Sequence, residues 1–255
     1  MIVMDLKIRW PTVVIIVALL IISLYALTEV NYYSYKNVAE SKDINSSVVI
    51  IPSIGVFEKI NNVSISQGVF IDYISNIPTK GDVILYGHRT LQGSPFLRLD
   101  ALKKGDIITL EWPGIGEVNY TVKKSEIISP TNSLVLNESH KKGDIHNQEL
   151  ILVTCHPIGS TAQRLIVTAE LNSTSPINET ALEENPQAHW AWIITFGFLA
   201  FGLIISYFSP ADERKIILAV VIAITIVLIY FSIFPVSSQI WADKLGWLNG
   251  LMGVS

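Results

Sequence analysis

Three long runs of apolar residues without a single charge stand out along the chain, at 11–28, 190–208 and 216–234, with 18, 19 and 19 residues. About 20 helical residues cross the hydrocarbon core of a bilayer, so each run predicts a membrane-spanning helix. Between the first and second runs the pattern changes to short, β-branched stretches punctuated by turn residues. Strands are predicted at 48–51, which stops at Pro52, and then at 54–57, 63–65, 83–86, 106–112, 117–123, 125–128, 150–154 and 164–171. Only 96–103, between Pro95 and Gly105, reads as a short helix. Strands separated by turns every 8–12 residues predict an all-β sandwich or closed barrel.

The three apolar runs explain a mean hydropathy of +0.44, too high for an ordinary soluble protein. The first is followed by Glu29-Val30-Asn31-Tyr32-Tyr33 rather than by the small residues of a cleavage site, so it reads as an uncleaved anchor. Lys7 and Arg9 precede it, and Arg214 and Lys215 sit in the short loop between the other two runs. Short basic loops stay on the cytoplasmic side, which places the segment 31–188 and the tail from Pro235 outside the cell membrane. The expected organisation is a cytoplasmic N-terminus and first helix (1–30), a stalk (31–47), an extracellular β-barrel (48–171), a linker (172–188), a second helix (189–209), a cytoplasmic loop (210–215), a third helix (216–234) and an extracellular tail (235–255). The net charge of −4 has no pattern and argues against a nucleic-acid partner; membrane lipid is the partner that composition implies.

Six Asn-x-Ser/Thr motifs fall in the proposed outer segment, at Asn45, Asn62, Asn119, Asn137, Asn172 and Asn178. With 13 Asn residues in that segment, chance predicts roughly two such motifs. The excess makes these asparagines glycosylation candidates. His140 and His146 lie among Lys141, Lys142 and Asp144, a combination that reads as a solvated loop, and no metal-ligand spacing occurs elsewhere.

Candidate chemistry centres on Cys155, the chain's one cysteine, which ends the run Leu150-Ile151-Leu152-Val153-Thr154-Cys155. A lone cysteine on an exported domain has no intramolecular disulfide partner. It is a buried hydrophobe, an intermolecular bridge or a working thiol. Arg164 opens the next strand, and Gly87-His88-Arg89 follows the run Val83-Ile84-Leu85-Tyr86. A thiol, an imidazole and a guanidinium at strand ends suit nucleophilic chemistry: the thiolate attacks, the imidazole moves protons and the fixed charge steadies an oxyanion. His156 adjoins Cys155, so strand alternation points it to the opposite face and disfavours it as the partner of the thiol. Arg89 and Arg98 are rivals to Arg164. Arg89, however, should splay away from His88, and Arg98 lies on the short helix. Thr154 is expected to orient the site through its hydroxyl or backbone.

These fragments resemble the sortases, membrane-anchored cysteine transpeptidases, over about 48–171. The family's active strand reads Thr-Leu-x-Thr-Cys, against Ile151-Leu152-Val153-Thr154-Cys155 here, a departure at the first position only. His156-Pro157-Ile158-Gly159-Ser160-Thr161-Ala162-Gln163-Arg164-Leu165-Ile166-Val167 is similar to the loop and arginine strand of the class D and E branches. Gly87-His88-Arg89, Ser94-Pro95-Phe96-Leu97-Arg98-Leu99-Asp100 and Lys104-Gly105-Asp106 are similar to the family's histidine region. The resemblance implies a closed sortase-like barrel and catalytic roles for Cys155, His88 and Arg164. It implies sorting-signal-bearing surface proteins as substrates, a cell-envelope amine as acceptor, and no cofactor. A hydrolytic cysteine peptidase of the same fold and a non-catalytic membrane-tethered peptide-binding domain are the alternatives. Together with the glycosylation motifs, the resemblance points to an archaeal source. Family members generally carry one N-terminal anchor, so the two C-terminal spans are a departure.

Overall fold

In a computed structural model, which describes residues 9–40, 46–90, 93–130, 148–177, 187, 189–236, 240 and 244, the β-branched runs form eight strands. They are β1 (Val48–Ile51), β2 (Val56–Asn61), β3 (Val69–Ile71), β4 (Val83–Tyr86), β5 (Ile107–Trp112), β6 (Gly116–Ile128), β7 (Glu149–His156) and β8 (Gln163–Ser175). Hydrogen bonding closes them into one barrel in the order β1-β2-β3-β4-β7-β8-β6-β5, with β5 returning to β1. Three helices complete the described chain: α1 (Trp10–Glu40), α2 (Trp190–Phe208) and α3 (Ala211–Ile233). Each contains a stretch long and apolar enough to cross a membrane. The described residues group into a helical unit, within 1–35 and 188–236, and a barrel unit that includes 36–187.

Strand alternation builds two apolar layers in the barrel. Val83, Leu85, Leu150, Leu152, Leu165 and Val167 point inward with Phe96 and Leu99, and all are 0–2 % exposed. The alternate residues Ile84, Ile151, Val153 and Ile166 form a smaller cluster on the outer face of β4, β7 and β8, flanked by Ile74, Tyr86 and Ile128. These strands are thus apolar and buried on both faces.

Several local expectations give way to side-chain competition. The strand expected at 63–65 is a turn, because the Asn61 carboxamide oxygen accepts from the Val63 and Ser64 N–H groups (3.0 and 2.9 Å). A 3₁₀ helix, Ile65–Gln67, follows it, with Ser64 capping the Ser66 N–H. The helix expected at 96–103 is instead a set of turns and the 3₁₀ helix Leu99–Ala101. Ala101 N–H bonds the Arg98 carbonyl, and the Leu97 carbonyl that an α-helix needs is taken by the Arg89 guanidinium. The runs 117–123 and 125–128 join as the single strand β6, which absorbs register shifts at Asn119/Tyr120 and Val122/Lys124 while staying paired with β8. β8 itself continues through Ser175, into residues read as linker; a Cβ on Gly116 would lie 2.3 Å from the Ser175 carbonyl oxygen, so only glycine fits opposite this strand end. α1 runs on to Glu40, through the first part of the segment read as a stalk.

Of the glycosylation candidates, Asn62 and Asn172 are exposed. Asn119 has its amide nitrogen on Glu117 (3.2 Å) and its oxygen on the Thr109 hydroxyl (2.6 Å). Asn45, Asn137 and Asn178 lie outside the described residues, as do His140, His146 and Lys7, the N-terminal residues through 8, and most of the expected linker and tail.

The helical unit is closed at its ends by polar clamps. Glu213, 4 % exposed, accepts from the Arg9 backbone N–H (2.8 Å) and the Thr12 hydroxyl, satisfying donors at the start of α1. At the other end Asn31 and Val236 exchange two hydrogen bonds of 2.7 and 2.9 Å. Gly202 of α2 lies against Val221 of α3, where a Cβ would approach Val221 to 2.5 Å, the close helix contact that small residues permit in lipid.

In the barrel unit, Lys36 forms a buried ion pair with Glu58 (2.9 Å, side chains 7 % and 2 % exposed) and donates to the Phe57 carbonyl at 2.5 Å. Removing one member of such a pair strands a buried charge, at a cost of about 3–5 kcal/mol. Lys36→Met should therefore lower the melting temperature of the detergent-solubilised protein sharply, and Lys36→Met/Glu58→Met should recover most of the loss.

Candidate active site

Two strand pairings assemble the chemistry. β7 and β8 pair antiparallel with Cys155 directly opposite Arg164, so both side chains lie on the same, outer face of the sheet. β4 and β7 pair parallel with Tyr86 opposite Val153, and extending that register by two residues brings His88 level with Cys155. Ile84, Tyr86 and His88 share one parity, as do Ile151, Val153 and Cys155, and Ile166 and Arg164. Cys155 and Arg164 therefore share one end of the outer apolar cluster, His88 follows the end of β4 that pairs with the same strand, and both Cys155 and His88 are half-buried.

The peptide before His88 is held at both of its polar atoms. Gly87 N–H donates to the Val153 carbonyl (3.2 Å), and the Gly87 carbonyl accepts from the buried Thr154 hydroxyl (2.8 Å). Thr154 thus faces away from Cys155 and ties the histidine segment to the cysteine strand. Position 87 also has no room for a side chain, since a Cβ there would sit 2.6 Å from the Phe96 ring. Phe96 is itself 0 % exposed, and its N–H donates to the His88 carbonyl (3.0 Å).

Arg164 comes back beside Cys155 through a tight loop in which Ser160 N–H bonds the Pro157 carbonyl (3.0 Å) and Gly159 adopts φ +78°. The loop is shorter than the sequence suggests, because His156 and Gln163 also pair as strand residues. The Arg164 Nη1 donates to the carbonyls of Thr161 (2.9 Å) and Gln163 (3.1 Å). Among the described residues its Nε and Nη2 have no hydrogen-bond partner, so that part of the guanidinium remains available to an anion. Of the two rivals, Arg89 is buried on the other side of its segment and Arg98 is exposed.

Burial lowers the pKa of His88 from the ordinary imidazole value of 6.5. Tyr86 was not flagged by its sequence motif, although its position two residues before His88 on a strand is the signal that places it on the same face. Its pKa is pushed up to about 12, by burial first and then by the Asp72 carboxylate that its hydroxyl bonds, while the Arg164 charge pulls the other way.

A family model for the Sortase domain matches residues 42–172, slightly more than half of the chain. The chain belongs to the sortase family, and the family and fold make it a cysteine transpeptidase in the broad sense. Among solved structures it is similar to sortase C-1 from Actinomyces oris, at 26 % identity over 56 % of this chain and 80 % of that one, with a TM-score of 0.44. Sortase E1 from Streptomyces coelicolor, solved with a tripeptide in the active site, is 23 % identical over 56 % of this chain and 95 % of that one, with a TM-score of 0.45. A lid mutant of sortase A from Corynebacterium diphtheriae is 23 % identical over 52 % and 72 %, also at 0.45. No curated protein sequence matches the chain.

Two outcomes follow from this geometry. Gly87→Ala forces the Phe96 ring or the β4 end to move, and overpacking of this kind costs about 1–3 kcal/mol, readable as a lower melting temperature. Because the folded pKa of His88 lies below its unfolded value, the unfolded chain binds more protons at mildly acidic pH, so stability falls as the pH drops below about 6.5. In melting curves from pH 7.5 to 5, His88→Gln should lose less stability than the wild-type protein.

Proposed function

We propose that the chain joins exported proteins to an amine of the cell envelope, with Cys155 as nucleophile, His88 as proton carrier and Arg164 as oxyanion donor. The observation that supports this reading is the pairing of Cys155 with Arg164 across the β7–β8 ladder, with His88 two residues past the end of β4, the other neighbour of β7. The Cys155 thiolate attacks the carbonyl carbon of a scissile peptide bond in a C-terminal sorting signal. The tetrahedral oxyanion is met by the free edge of the Arg164 guanidinium. His88, holding the proton taken from the Cys155 thiol, delivers it to the departing amine as the C–N bond breaks, leaving a thioacyl-enzyme and neutral imidazole. The incoming amine attacks the thioester and gives its proton to His88, and the Cys155 thiolate leaves as a new amide bond forms. Every role is filled by a side chain, so the reading calls for no metal or organic cofactor.

The proposed topology puts the barrel outside the membrane. Arg9 approaches Asp212 and Glu213 within 3.9 Å, consistent with both basic flanks lying at one end of the helical unit. Reporter fusions after Asp212 should read as cytoplasmic and those at Ser175 as external; an external signal at Asp212 refutes the orientation.

For the chemistry, Cys155→Ala should abolish processing of the cognate surface protein, and mass spectrometry of the wild-type product should show transfer to an added amine rather than release by water. His88→Gln should be far more damaging than His156→Gln. Loss of one oxyanion donor costs about 100- to 1000-fold, roughly 3–4 kcal/mol, in the chemical step. Arg164→Ala should show that loss in single-turnover acylation, and Arg164→Lys should recover part of it. A normal acylation rate in either variant removes Arg164 from the catalytic set; a melting-point drop with normal turnover assigns it to the loop alone.

A further inference from the structure

Arg89 is the largest of the fully buried side chains among the described residues, 2 % exposed, and the chemistry above leaves it unused. Strand alternation sends it to the face opposite His88, where its fork of donors meets two separate pieces of chain, at 97–100 and at 155–156. The Nε donates to the Leu97 carbonyl (3.1 Å), and Nη2 pairs with the Asp100 carboxylate (2.7 Å). The Nη1 reaches the Cys155 carbonyl (3.4 Å) and the Nδ1 of His156 (3.2 Å). Burying a guanidinium is costly, and Asp100 with these acceptors offsets that cost.

We propose that Arg89 is the positioning residue of this site, a buried cation that ties the segment carrying His88 to the backbone of Cys155 from behind. The inference rests on the Cys155–His88 reading. Gly87 joins the two segments just before His88, through the Val153 carbonyl and the Thr154 hydroxyl. Arg89 joins them just after it, so the peptide that presents His88 is held on both sides of its own residue. An error of about 1 Å in such a pair costs on the order of 100-fold in rate, which is why two tethers serve the chemistry better than one. The same contact gives His156 a defined part. An arginine nitrogen only donates, so His156 Nδ1 carries a lone pair and the proton of the neutral ring sits on Nε2. His156 is then an acceptor for Arg89, and its closeness in sequence to Cys155 reflects support of the strand end.

The test uses full-length protein in detergent micelles and iodoacetamide as the probe; Cys155 is the only thiol, so alkylation reports on this site alone. Rates at pH 7 are compared for wild type, Arg89→Met, Arg89→Lys, Asp100→Asn and His88→Gln, with melting curves and histidine side-chain ¹⁵N spectra, His156 being assigned from His156→Gln. Arg89→Met is expected to slow alkylation about tenfold or more well below its melting temperature. Arg89→Lys, a point charge without the fork, should recover part of that rate. The ¹⁵N signal of a lone-pair Nδ1 at His156 should be present in wild type and averaged between tautomers in Arg89→Met. A wild-type alkylation rate in Arg89→Met alongside a slow His88→Gln overturns the positioning role and leaves the catalytic reading standing. Wild-type rates in both overturn the Cys155–His88 pairing itself. Should Arg89→Met fail to fold, Arg89→Lys and Asp100→Asn carry the comparison, Asp100 being half-exposed; wild-type rates and an unchanged His156 signal in both overturn the proposal.

Discussion

The register of β7 against its two neighbours is the constraint on which the candidate site depends. Side chains on a strand alternate, so a slip of one residue between β7 and β8 would carry Arg164 to the inner face and leave Cys155 without it. The register is held by apolar burial on both faces, with Leu150, Leu152, Leu165 and Val167 inside and Ile151, Val153 and Ile166 outside. Fully burying one such side chain contributes roughly 1.5–3 kcal/mol, and a slip would exchange the inner and outer sets and spoil the packing of both layers. The candidate groups are polar passengers on strand ends whose position is set by the hydrophobic layers beneath them.

Polar contacts refine what that packing establishes. Gly87, Thr154 and Arg89 connect the chain after β4 to β7 beyond the last paired residues of those two strands, and they satisfy backbone atoms that would otherwise be buried unpaired. The helical unit follows a similar logic in a different solvent. Its helices present apolar side chains over most of their length, and the Glu213 and Asn31 clamps sit at the helix ends, where unpaired donors and acceptors are concentrated. A carboxylate that is 4 % exposed beside the first amides of α1 is also well placed to meet the positive end of that helix dipole.

Much of this was legible in the chain. The three charge-free runs reappear as the three membrane-length helices, and most β-branched stretches reappear as strands. The errors came where a side chain competes for backbone atoms. Asn61 turns the segment expected at 63–65, and Arg89 removes the Leu97 carbonyl from the helix expected at 96–103. The break expected in β6 is a bulge, because its pairing with β8 outweighs the local interruption, and β3 was too short to declare itself.

By itself the sequence determined which segments are apolar enough to span a membrane, that the region between them is a β-domain, and that Cys155, His88 and Arg164 stand at strand ends. Those are properties of local composition and of the period-two repeat, and they need no knowledge of what lies across space. The partners of each strand end were decided by the tertiary structure: β4 against β7, Cys155 against Arg164, and Arg89 beneath both segments. The links of β4 and Arg89 to β7 join residues 66 and 67 positions apart, and all of these pairings are selected by the burial of whole faces, a quantity that exists only once the barrel has closed.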